Sequence, residues 1–313
     1  NFVFDGGGAF LILYLICVVL IGLPIMLAEF TIGRRHQRNA VRSFKTIAPG
    51  TPWFLTGWLG IIAAFVILSF YGVVAGWTLD YVFKALTGTL SNKTPEEFSA
   101  MFGSLVSGTY RPIIWQVVFM FLTALIILGG VKDGIEKYAK ILMPLLLLII
   151  IILDIRAITL PGASAGLKFL FSPDFSKLTG GSILAALGQA FFSLSLGMGA
   201  IITYGSYVSK KENLTTTAIH VTIADTAIAL LAGLAIFPAV FAFGLKPGAG
   251  PGLVFITLPN IFQQMFGGSI FSILFFLLLT VAALTSSISL LEVVVAYFTQ
   301  DLKISRKKAT IYI

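Results

Sequence analysis

Apolar residues run along this chain in seven long stretches separated by short polar connections. A helix needs about 20 mainly apolar residues to cross a bilayer. The stretches Gly8–Thr31, Trp53–Lys84, Pro112–Gly130, Ala139–Leu160, Ser182–Val208, Leu214–Gly244 and Ser269–Gln300 are candidate spans. Several exceed the minimum, which predicts tilt or helix that continues beyond the bilayer. Two connections carry more content. Ser91–Tyr110 is polar and holds Pro95, Glu96 and Glu97. Lys246–Gly268 opens KPGAGPG and then turns apolar through LVFITLPNIFQQM. It is too short to span, and predicts a packed helical hairpin or re-entrant lid broken at Pro259.

One span is interrupted in its own pattern. Gly188–Val208 reads GQAFFSLSLGMGAIITYGSYV, with Gln189, Ser193 and Ser195 close together and Gly197 and Gly199 directly after them. Lipid offers no partner to free backbone groups, so a broken helix is tolerated only where it lines a cavity or is buried in protein. In transporters such breaks hold substrate and ions. Small residues also serve close helix packing, so the pattern alone leaves both readings open.

Composition narrows the class. The chain is 58% hydrophobic and 11% charged, against about 25% charged in soluble domains. It reads as a multi-span α-helical membrane protein embedded in a lipid bilayer. A single cysteine, Cys17, excludes a disulfide framework and a cysteine-based metal site. The net charge of +8 follows the loops. Fourteen Lys and Arg fall on one side of the predicted topology and seven on the other, which places the basic loops in the cytoplasm and the protein in the cytoplasmic (inner) membrane. No basic run interleaved with aromatics points to nucleic acid. This topology puts the N-terminus outside, and the chain reads as the middle of a larger protein.

Polar residues at membrane depth mark candidate chemistry. Asp225 lies inside Leu214–Gly244 and must pair with a cation, be protonated or face water; Na⁺ suits an oxygen donor. Thr285, Ser286 and Ser287 fan around their helix, so at least one faces the bundle. Tyr71 lies mid-span with a hydroxyl that needs a partner. Glu29 and Glu292 sit towards cytoplasmic ends and are expected to pair with the basic loops. Asp80 and Asp154 lie near outer ends, where solvation is expected. No nucleophile–His–acid arrangement, P-loop or dinucleotide fingerprint is present, so the chain is not read as an enzyme and no organic cofactor is expected.

Three runs carry a family likeness: GGGAFLILYLICVVLIGLPIMLAEFTIGR, GQAFFSLSLGMGAIITYGSYV and ALTSSISLLEVVVAYFTQDLKISRKKA. They resemble the neurotransmitter:sodium symporter family, above all its prokaryotic sodium-dependent amino-acid transporters. The resemblance covers essentially the whole chain. It implies an all-α, inverted-repeat, leucine-transporter-like fold with discontinuous first and sixth helices. Residues 1–313 would form one partial transmembrane domain holding the family's second to eighth helices and the start of the ninth. The opening NFVFD resembles a first helix that is mostly missing, without its Arg-Phe-Pro core.

The same resemblance implies the sites. A first sodium site would use Asn1, Ser193 and Asp225, and a second the Ala282 carbonyl with the Thr285 and Ser286 hydroxyls. The substrate pocket would be formed by Ile67, Tyr71, Phe192, Ser195, Met198, Ser287 and Leu290. Tyr71 would donate to the substrate carboxylate, and Gln189 and Phe192 would form the outer gate. Ala229 stands where chloride-dependent relatives carry an anion-binding hydroxyl, so the Asp225 carboxylate would replace chloride. Met198 between two glycines favours larger hydrophobic or aromatic amino acids. The expected function is sodium-coupled symport of a neutral amino acid by alternating access. A transporter-like amino-acid sensor or a non-transporting membrane subunit are the alternatives, and the oligomeric state is open.

Overall fold

The computed structural model describes residues 6–244 and 250–313; Asn1 and Lys246 lie outside the described residues. Among the described residues six continuous helices are long and apolar enough to cross a membrane. They are α1 (Gly8–His36), α3 (Phe54–Leu86), α5 (Arg111–Leu128), α6 (Val131–Ile158), α10 (Leu214–Ala242) and α12 (Gly268–Gln300). Shorter helices lie between them: α2 (Ala40–Ile47), α4 (Pro95–Ser107), α7 (Ala163–Phe171), α8 (Gly180–Ser193), α9 (Ala200–Gly205), α11 (Leu258–Gln264) and α13 (Arg306–Tyr312). The seventh expected span, Ser182–Val208, is α8 and α9 with a non-helical stretch between them.

Local chemistry explains the ends. The polar connection after α3 folds as α4 because Thr94 and Glu97 form a reciprocal capping box and Pro95 sits in the first turn. Asn39 caps α2 by accepting from the Arg42 N–H, and Asn213 caps α10 by accepting from the Thr216 N–H.

In two places a widened turn precedes a proline and the helix runs on without a break. In α1 the turn Val18–Gly22 is a π-turn, two residues before Pro24. Before α11 the turn Leu253–Thr257 is a π-turn, two residues before Pro259. Proline lacks an N–H and its ring crowds the carbonyl four residues back; widening the preceding turn relieves both. The predicted break at Pro259 is therefore corrected: residues 251–264 run as one helical segment. Its packing against the bundle is as expected. Phe255, Leu258 and Ile261 are buried, and Phe255 stacks on Phe102 of α4 and meets Tyr81 of α3.

The bundle is organised around α12, which lies along α3 and also meets α5 and α6. Helix α10 packs on α6 and α7, and α1 packs on α9. This last contact is closest at Gly33, where a Cβ would collide with the Ile202 carbonyl, and at Gly205, where a Cβ would press on Phe30. Side-chain-free approach of this kind is how membrane helices gain dispersion contact without a hydrophobic drive.

Two acidic residues expected to be solvated are buried. Asp80 is fully enclosed, with Lys84 Nζ at 2.7 Å and Arg111 Nη2 at 2.9 Å. Asp154 is also buried, and neither of its oxygens has a hydrogen-bond partner among the described residues. The reason is helix register: Leu153 and Ala157, which flank Asp154 on α6, belong to the core that α10 and α12 close over.

Removing one partner of a buried ion pair costs about 3–5 kcal/mol. Asp80→Ala leaves the Lys84 ammonium enclosed and unpaired, so it should lower the thermal unfolding midpoint in detergent far more than Arg111→Ala, whose side chain is half exposed. Equal shifts would show that the pair does not carry this stability.

Candidate functional site

The site grows from the interruption between α8 and α9. Helix α8 ends at Ser193, and the chain then runs through Leu194–Gly199 before α9 begins. Ser195 has φ 56°, Gly197 φ 76° and Gly199 φ 73°. A serine in the left-handed region costs of the order of 1–3 kcal/mol and persists only when its surroundings hold it there. Gly197 and Gly199 take the same region without a Cβ penalty.

The freed backbone groups need partners. Leu196 N–H donates to the Phe191 carbonyl at 2.9 Å, and Ser195 N–H donates to the Phe192 carbonyl at 3.2 Å. Gly197 N–H donates to Glu29 Oε1 at 2.8 Å. Glu29 was expected to pair with the basic loops; it is instead a buried carboxylate of α1 that pins the unwound segment. Glu292 behaves as expected, accepting from the Tyr207 hydroxyl at 2.6 Å and pairing with Arg306.

The unwound segment forms one wall of a cavity of about 240 Å³. Ligand pockets typically hold 300–1,000 Å³, so this one is of single-metabolite size. Six of the seven residues expected to hold substrate line it: Ile67, Tyr71, Phe192, Ser195, Met198 and Leu290. Gln189, Ser193, Asp225 and Ser286 complete it. Tyr71 interacts through its hydroxyl with Ser286, so the phenol already faces the polar side of the cavity.

Ser287 is the exception. It is fully buried, its hydroxyl lies 2.8 Å from Thr123 Oγ1 of α5, and it donates to the Leu284 carbonyl at 2.9 Å. One step along a helix rotates a side chain about 100°, so Ser286 faces the cavity and Ser287 faces α5.

Oxygen donors gather in two places. Ser193 donates to Asp225 Oδ2, and the Tyr14 hydroxyl donates to Ser193 Oγ at 3.2 Å. On α12, Thr285 Oγ1 donates to the Ala282 carbonyl at 2.9 Å, and Ser286 follows on the cavity side. Carboxylate, hydroxyl and carbonyl oxygens form a donor set for a hard cation such as Na⁺. Among the described residues no group of three or more His, Cys, Asp or Glu could hold a metal ion.

Tyr14 was missed at the sequence level because it lies in an unbroken apolar run; the signal was that a membrane-buried phenol needs a partner. A larger, mostly apolar cavity of about 530 Å³ adjoins the site, sharing Gln189 and lined by Tyr14 and Ala229.

The chain belongs to the sodium:neurotransmitter symporter family, whose model matches residues 3–101 and 107–313. It is 44% identical over 304 residues to YhdH of Bacillus subtilis, an uncharacterised sodium-dependent transporter, covering 97% of this chain and 67% of that one. An uncharacterised sodium-dependent transporter of Haemophilus influenzae is 41% identical over 317 residues, covering 98% and 69%. The crystal structure of MhsT in complex with L-phenylalanine superimposes with a TM-score of 0.93 at 54% identity, covering 99% of this chain and 71% of that one. The fold is thus the all-helical, leucine-transporter-like one that the resemblance implied, and the chain spans about two thirds of these relatives' length.

Leaving a buried donor unsatisfied costs about 1–3 kcal/mol. Glu29→Ala should therefore speed amide hydrogen exchange across residues 194–199 well before it affects α12. Unchanged exchange there would remove Glu29 from the role of clamp.

Proposed function

We propose that this chain forms one transmembrane unit, residues 1–313, of a sodium-coupled symporter for neutral amino acids with hydrophobic or aromatic side chains, in the cytoplasmic membrane with its basic loops inside. What carries the reading is a single convergence. Six residues matched to a substrate pocket line one cavity, and the wall of that cavity contains the Ser193–Asp225 pair. The MhsT structure holds L-phenylalanine, in keeping with a pocket walled by Ile67, Phe192, Met198 and Leu290.

In this reading Tyr71 and the backbone around Ser195 hold the amino-acid head group, and the apolar residues hold its side chain. Asn1, Ser193 and Asp225 contribute to one sodium site; Ala282, Thr285 and Ser286 contribute to the other. Gln189 and Phe192, both exposed on the cavity's rim, close it from the outer side. Ser287 acts through packing on Thr123 and not as a ligand. Each sodium charge moving down the membrane potential supplies about 2.3 kcal/mol per 100 mV, so two ions suffice to concentrate a neutral substrate many-fold. Sodium and amino acid should reinforce each other's affinity, since linkage is reciprocal. The Asp225 carboxylate, with Ala229 one turn further along the same helix, removes the need for chloride.

The test is ligand-dependent thermal stability of the full-length protein. Phenylalanine or leucine should raise the unfolding midpoint in Na⁺ and not in K⁺, equally in chloride and in gluconate. Asp225→Ala should abolish the sodium-dependent shift; a shift of native size in that variant would take Asp225 out of the site. Met198→Phe fills the cavity and should move preference towards smaller side chains, so an unaltered ranking of amino acids would place Met198 elsewhere.

A further inference from the structure

A second site lies at the basic end of the bundle, away from the substrate cavity. Between Glu29 and Asp80 the sequence contains five cations, Arg34, Arg35, Arg38, Arg42 and Lys45, and no acidic residue. Two of the five are engaged. Arg42 Nε pairs with Asp301 at 2.9 Å, and Arg34 donates to the Glu212 carbonyl. Arg35, Arg38 and Lys45 are exposed and have no ion pair among the described residues. Lys45 lies in the last turn of α2, and Arg38 precedes the Asn39 cap at its other end.

Lys45 stands at the mouth of an open cleft of about 600 Å³. The cleft is walled by the turn from Ala48 to Pro52 and by Phe54 at the start of α3. The Lys45 ammonium sits 5.4 Å from the centre of the Phe54 ring, which holds the charge over the cleft instead of letting it extend into solvent. Trp53, beside it, is 61% exposed, as expected of an aromatic at the headgroup level of a bilayer.

The apolar half of a ligand has a track as well. From the cleft, α3 presents Leu55, Leu59, Ile62 and Val66 outward, all more than half exposed and spaced four, three and four residues apart. That spacing is a single stripe on one face of a spanning helix. A cationic cleft at one end and an apolar stripe leading away from it match the two halves of one molecule.

We propose that the cleft between α2 and α3 binds the headgroup of an anionic phospholipid, with one acyl chain along the Leu55–Val66 stripe. The phosphate would lie against Lys45, and Phe54 and Trp53 would pack on the glycerol region. A free anion would use the charge and leave the stripe bare; a zwitterionic lipid would use the stripe and bring its own cation against Lys45.

The test is native mass spectrometry of the full-length protein from mixed micelles of phosphatidylglycerol and phosphatidylcholine. Each surface cation contributes roughly five-fold to anionic-lipid affinity. The native protein should retain phosphatidylglycerol in preference to phosphatidylcholine. Lys45→Gln should weaken that retention about five-fold, with phosphatidylcholine retention and the unfolding midpoint unchanged. Lys45→Arg should restore it. Equal retention of the two lipids, or an unaffected Lys45→Gln variant, would overturn the proposal. Displacement of the lipid by millimolar inorganic phosphate would also overturn it, by making the cleft a free-anion site.

Discussion

A helix that stops in the middle of a membrane must find partners for its backbone within the protein, and the arrangement of this bundle follows from that requirement. The chain between α8 and α9 is held by its own carbonyls on one side and by the Glu29 carboxylate on the other. Glu29 is buried to reach it, and a buried charge is costly unless hydrogen-bonded. The close contact of α1 with α9 through Gly33 and Gly205 keeps that carboxylate in place. The same interruption leaves Ser193 at the end of α8, free to reach Asp225 on α10. Clamp, cavity wall and ion-binding oxygens are consequences of one unwound turn.

The end of the bundle opposite the basic loops is built differently. There Asp80 is enclosed with Lys84 and Arg111, and aromatic rings do the packing. Phe255 links α4, the segment before α11 and α3 through Phe102, Trp77 and Tyr81, while Phe276 of α12 closes the cluster. Aromatic pairs of this kind add about 0.5–1.5 kcal/mol each beyond their buried area. The segment 251–264 is thus fastened to α3 and α12, whereas the unwound segment is fastened to α1.

Much of this was legible in the chain. Hydrophobic runs located the spans, because twenty apolar residues have few other uses, though α6 begins at Val131 and not at Ala139. The Gly-Met-Gly run located the interruption, because glycine is where left-handed backbone is cheapest. What the sequence hid depends on rotation about helix axes. Ser286 and Ser287 look equivalent on paper, and only one faces the cavity. Asp154 near a helix end reads as solvated, and its register turns it inward. Tyr14 is silent within its apolar run, yet its hydroxyl completes the chain to Asp225. Pro259 reads as a break, because nothing local says that the turn before it will widen.

The widened turn in α1 has a consequence for phase. Tyr14 and Gly33 are nineteen residues apart. At about 100° per residue a regular α-helix would set them about 100° apart around its axis. Yet Tyr14 points to Ser193 at the end of α8 and Gly33 points to Ile202 of α9, both on the broken span. The π-turn at Val18–Gly22 closes its hydrogen bonds one residue further along and so absorbs about one residue's rotation. It works as a phase corrector: one helix keeps two contacts on a single neighbour that no uniform period could align. Forcing that turn into regular α-helix at constant length would swing the helix's entire second half, Glu29 included, about 100° away from the segment it holds, whereas deleting one residue from the turn would leave the phase intact.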